Sequence, residues 1–162
     1  MDTKYIILHC SDSTYGDIKE IDLWHRARGW NKIGYHYVIT NGKFKATDDI
    51  ALVSRDGLIQ IGRQEDEQGA HCLGYNSTSI GVCLIGKTIF TTRQWASCYS
   101  LILSLMERYS IPVSNILGHC ETDSGKRENK TCPNFSVEIF RNNISKLDFD
   151  YQHLLLRAGK KI

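Results

Sequence analysis

The stretch GHCETDSGKRENKTCPNF, Gly118 to Phe135, sets His119 and Cys132 near the two ends of one polar loop. An imidazole and a thiolate are both good ligands for a divalent transition metal, so the loop carries the chemistry of a metal site. It is not a zinc finger, because no second pair of ligands lies close by. A catalytic zinc takes three protein ligands and keeps one position open, so a third ligand must come from elsewhere, held by a rigid element. His9 is the best candidate. The apolar, β-branched run KYIILHC reads as a buried strand ending at that residue. SNILGH reads as a short strand delivering His119 in the same way, so both imidazoles could project from one edge of a sheet, with Cys132 closing the site. The residues alone leave the alternative open: two ordinary histidines and one loop thiol.

The remaining histidines divide by context. His25 lies in a helical segment and reads as surface or helix–sheet packing. His36 falls in the strand-like GYHY, where alternation sets it opposite Tyr35 and Tyr37 and a structural hydrogen bond is expected. His71, on the polar loop GAHCLGYN, is placed where it could face a substrate; His153 carries no functional weight. Cys10, Cys72, Cys83, Cys98 and Cys120 show no CxxC pair or framework spacing and read as reduced.

Strands and helices interleave around these residues. After KYIILHC, Ile18, Ile21, Leu23, Trp24 and Ala27 recur at helical spacing up to Gly29. GYHYVIT (34–40) reads as a strand, RDGLIQIG as a turn and a short strand, and SIGVCLIG (79–86) as the best buried central strand. Thr91 and Gln94 form a capping-box signature ahead of the longest apolar stripe, Trp95 to Tyr109. A last helix is expected from Ser136 to about Ser145. The pattern is α/β with one central sheet.

With 162 residues, 41% hydrophobic and 23% charged, the chain suits one globular domain over 1–147 followed by a tail at 148–162. A net charge of +2 is too mild for nucleic-acid binding. The opening MDTKYIILHC predicts neither a signal peptide nor a membrane span, and no stable membrane association is expected. A cytoplasmic origin and a monomer are expected.

Taken together and in order, IILHCS, RGWNKIGYHYVI, GAHCLGYNSTSIGVCLIG, LGHCE and KTCPNF resemble the zinc-dependent N-acetylmuramoyl-L-alanine amidases (amidase type 2), whose fold is shared with the peptidoglycan recognition proteins. The likeness runs from about Tyr5 to Phe140 and is nearest to the phage endolysins. It implies a single central mixed β-sheet flanked by helices, and hydrolysis of the amide joining N-acetylmuramic acid to L-alanine in peptidoglycan, the expected partner. It also implies one catalytic Zn2+ on His9, His119 and Cys132, with Tyr35 lining the zinc site and Lys130 facing the scissile carbonyl. His71 and Asn76 fall at substrate-contacting positions of the family. Arg63 in IGRQ could meet a stem-peptide carboxylate or form a surface ion pair.

Two departures sharpen the likeness. The recycling branch of the superfamily carries a general-base glutamate on the central strand, where this chain has Cys83. About fourteen extra residues, Thr40 to Val53, precede RDG and are expected to form a flap at the groove rim or a plain surface loop. The resemblance thus implies a lysin released across the inner membrane to a thin, Gram-negative wall. A non-catalytic binding module with structural zinc, or a cytoplasmic muropeptide-recycling amidase, stand as alternatives.

Overall fold

Two runs of the chain, Tyr5–Cys10 (β1) and Ser79–Leu84 (β4), are apolar almost throughout, the pattern of parallel strands covered on both sides. In the computed structural model, which describes the backbone of residues 1–157 and the side chains of residues 1–148, they pair in parallel from Tyr5 opposite Ser79 to Cys10 opposite Leu84. Tyr37–Asn41 (β2) and Ile116–Gly118 (β5) extend the parallel sheet on either side, and Asp56–Ile61 (β3) adds an antiparallel edge. The order β3-β2-β4-β1-β5 puts the SIGVCL strand in the middle, as its sequence predicts.

One face of the sheet, carrying Ile6, Leu8, Ile39, Val82 and Leu84, is covered by α2 (Thr92–Tyr109) and α4 (Val137–Arg157). The first of these begins at the expected capping box, with Thr91 Oγ1 accepting from Gln94 N and Gln94 Oε1 accepting from Thr91 N. Gln94 is itself buried, yet its amide donates to the Ile39 and Ile85 carbonyls, so no polar group is stranded. The opposite face is half covered by α1 (Ile18–Ala27), which packs Ile21 against Ile33, Val38, Cys83 and Ile85. Its other half carries His9, which is buried beneath the loop bearing His71 and lines a groove.

Three expectations change in the structure. GYHYVIT does not alternate from Gly34: the strand begins at Tyr37, whose ring joins the core under α2, while Tyr35 packs with Ile21 and Val38 on the other face. Tyr35 and Tyr37 therefore do not share a side. The pairing of this approach is taken over by loop backbone, with Ala70 N donating to Gly34 O and Arg63 N to Tyr35 O. The last helix does not stop near Ser145 but continues to Arg157, past the start of the expected tail, and residues 158–162 lie outside the described residues.

Candidate metal centre

His9 is the penultimate residue of β1, in register with Cys83 of β4, so its ring rises from the α1 side of the sheet near the carboxyl end of the strands. Gly118 closes β5 opposite Leu8, which sets His119 one step further on, at the level of His9. The return of Cys132 is fixed by backbone: Cys120 N donates to Cys132 O at 2.8 Å. One donor atom from each of His9, His119 and Cys132 lies within 4.8 Å of the other two. His9 Nδ1 and Cys132 Sγ are 3.7 Å apart, where two ligands on one tetrahedral zinc are separated by about 3.6 Å. The donors fit such an ion. Burial keeps the His9 imidazole well below its ordinary pKa and therefore neutral, as a ligand must be.

The loop between the two late ligands is braced from beneath. Short helix α3 (Asp123–Arg127) is capped by Thr122, whose hydroxyl also donates to His119 O at 2.7 Å. Glu121 accepts a forked pair of bonds from Arg141 of α4 at 2.8 and 2.9 Å and another from Gly118 N. A methyl group at Gly125 would lie 1.8 Å from the His119 carbonyl oxygen. Gly125→Ala should therefore displace His119, costing about 1–3 kcal/mol of stability, read as a drop of several degrees in Tm together with weakened zinc binding.

Around the ligands runs a groove of about 580 Å³ lined by Tyr35, His71, Asn76 and Lys130 among others. The Tyr35 ring sits 4.9 Å from that of His9. Burial, with the Cys83, Cys132 and Cys10 thiols adding, holds its hydroxyl well above the ordinary range, so it stays a hydrogen-bond donor. Lys130 pairs with Glu128 at 3.2 Å, both about half exposed. Cys83, fully buried, has a thiol pushed well up by burial and stays neutral.

Other sequence-derived candidates fall differently. Asn76 supports the loop: its Oδ1 accepts from His71 N and Cys72 N at 2.8 and 2.9 Å. His71 is buried with its Nδ1 3.1 Å from His9 Nε2. Arg63 is not brought to the groove. Its guanidinium holds Ile33 O and Gln68 O and meets Glu67, because the backbone carbonyls of the neighbouring turns reach it first. The Thr40–Val53 insert lies against the Thr14–Gly16 turn, through Gly16 N to Lys43 O and Asn41 Nδ2 to Thr14 O, and contributes no residue to the groove lining among the described residues. His25, read as packing, does line the groove, its Nδ1 accepting from Gly34 N. Arg28 and Trp30, just past the end of α1, line it too; both lie in the RGWNKIGYHYVI motif, though the motif alone singles out neither as a site residue.

A mixed sheet with one face closed by two helices and a His–His–Cys constellation on the other is the architecture of the amidase and peptidoglycan-recognition class. Among solved structures the fold matches the endolysine N-acetylmuramoyl-L-alanine amidase LysCS of Clostridium intestinale, with TM-score 0.70 and 25% identity over 90% of this chain and 85% of that one. It also matches Drosophila PGRP-LB in complex with tracheal cytotoxin, with TM-score 0.61 and 25% identity over 81% and 75% of the two chains. Residues 1–135 match the N-acetylmuramoyl-L-alanine amidase family. The endolysin of Escherichia phage T7 is 33% identical over 147 residues, 84% of this chain and 83% of the relative. That of Klebsiella phage KP32 is 32% identical over 148 residues, 85% and 84%. The chain belongs to the N-acetylmuramoyl-L-alanine amidase family and is an amidase of the phage endolysin type, with peptidoglycan as its substrate.

Proposed function

We propose that the enzyme is a zinc-dependent lysin that opens the host wall by hydrolysing the bond between the lactyl group of N-acetylmuramic acid and L-alanine. The observation that carries this reading is the convergence of the His9, His119 and Cys132 donor atoms on a groove that Tyr35 and Lys130 also line. These three residues would hold the zinc, whose Lewis acidity is the chemistry it supplies: a more acidic water and a more electrophilic amide carbonyl.

The protein's own groups do the rest. Water adds to the amide carbon, the C–N bond breaks, and the products are a lactyl carboxylate and a free L-alanine amine. The Lys130 ammonium balances the negative charge that develops on the carbonyl oxygen, and the Tyr35 hydroxyl donates to the same region. Proton delivery to the leaving amine falls to Tyr35 and Lys130, since Cys83 offers no carboxylate. We place the catalytic unit within 1–147, a reading supported by groove residues that run from His9 to Asn134 among the described residues. We take the enzyme to act as a monomer that reaches the wall after release across the inner membrane. No helix among the described residues is long and apolar enough to cross a membrane.

Digestion of purified Gram-negative sacculi, followed by mass spectrometry, tests the reading. Stem peptides with new L-alanine amino termini should appear, and should vanish when a chelator is added and return with zinc. Release that a chelator leaves untouched would rule out the metal, and binding to sacculi without release would make the protein a recognition module.

A further inference from the structure

Among the described residues the His71 ring has one side-chain hydrogen-bonding partner, and that partner is His9, a residue of the candidate metal centre. Its Nδ1 lies 3.1 Å from His9 Nε2, with the two rings nearly perpendicular. The other nitrogen of His9, Nδ1, faces Cys132 Sγ. A neutral imidazole carries its proton on one nitrogen and a lone pair on the other. With the Nδ1 lone pair turned toward Cys132, the His9 proton sits on Nε2 and is donated to His71 Nδ1. His71 must then carry its own proton on Nε2, which makes no well-formed hydrogen bond, the Ser79 backbone being the acceptor that reaches it.

A buried N–H held this loosely contributes little to stability, and packing alone would be better served by an apolar side chain. Nor does the neighbouring His36 satisfy it, because its Nδ1 accepts from Gly81 N and its Nε2 donates to Glu67 O. The chain nevertheless makes room for this ring at two glycines. A Cβ at Gly81, inside the central strand, would come within 2.6 Å of the His71 ring, and one at Gly69 within 2.5 Å. Glycine inside a buried strand often marks such a close approach. Asn76 then clamps the His71 backbone from the loop side.

We propose that His71 is a positioning residue, which holds His9 in the tautomer and orientation that present Nδ1 to Cys132 and His119. The role rests on the His9–His119–Cys132 reading and acts through His9 rather than by contact with substrate. Outer hydrogen-bond partners of metal-binding histidines generally contribute 10- to 100-fold in metal affinity. Zinc affinity of the full chain, measured by competition with a chromophoric chelator, gives the test.

His71→Leu should bind zinc about 10- to 100-fold more weakly with its Tm unchanged or raised. His71→Gln, whose Oε1 can accept from His9 Nε2, should recover most of that affinity. Nitrogen-15 NMR of the zinc-loaded wild type should place the His9 proton on Nε2. Wild-type affinity in His71→Leu, equal losses in the Leu and Gln variants, or a proton on His9 Nδ1 would overturn the proposal. The NMR result decides the matter even where His71→Leu does not fold. A wild-type chain that binds no zinc at all would instead overturn the metal centre itself.

Discussion

Cys132→Ser should yield a folded protein that binds zinc more than a hundredfold more weakly, since even the loss of an outer partner costs 10- to 100-fold, and that releases no L-alanine amino termini from sacculi. Coordination requires a thiolate. The Cys10 side chain and burial hold the Cys132 thiol far above its usual range when no cation is near. The Cys10 backbone N–H, 3.3 Å from Cys132 Sγ, is placed to donate to the thiolate once it forms. A serine hydroxyl gives up its proton far less readily, so the third ligand is lost. Zinc uptake by the wild type must displace that proton, and its affinity should therefore rise with pH. The fold is insulated from the substitution, because the loop is tied by the Cys120 N to Cys132 O bond, which involves no side chain. Metal analysis and a melting curve measure the two effects separately. A Cys132→Ser protein that keeps a full equivalent of zinc would show that the sulfur is not a ligand.

Lys130→Ala separates catalysis from metal binding. Removing one donor from a developing oxyanion typically lowers kcat by about 10²–10³-fold, and we expect a loss of that size with zinc content unchanged. In the resting enzyme the ammonium is paired with Glu128, but the pair is half exposed and weak, so the lysine can change partners as charge builds on the substrate. Glu128→Gln serves as the control and should alter the rate little. Near-normal hydrolysis by purified Lys130→Ala would remove the residue from the mechanism.

The three residues that the fold brings together as a candidate metal centre were legible in the sequence because each is carried by something the sequence marks. His9 closes an apolar run, His119 follows a second one, and Cys132 lies in a loop too polar for an ordinary buried thiol. The capping box at Thr91 was legible for the same reason: it is a local pattern with a local cause. Longer-range pairings were not. Nothing near Arg63 tells which carbonyls its fork will meet, and the partner of His71 is 62 residues away. The faces of Tyr35 and Tyr37 do not follow from alternation, because alternation holds only inside a strand and the strand starts at Tyr37. The length of α4 could have been read better, since no glycine or proline separates Ser136 from Ala158.

The order of strands in the sheet differs from the order in which a ribosome makes them. β1 is the first strand to emerge, yet its two neighbours, β4 and β5, begin only at Ser79 and Ile116. Until β4 has been made, His9 sits on a strand with nothing to pair with, and contacts so distant in sequence form slowly. The ligand set is complete only when Cys132 has been added. A nascent chain that stops short of Cys132 would carry the first imidazole without a centre to place it in, so the candidate site forms only after that residue has been made.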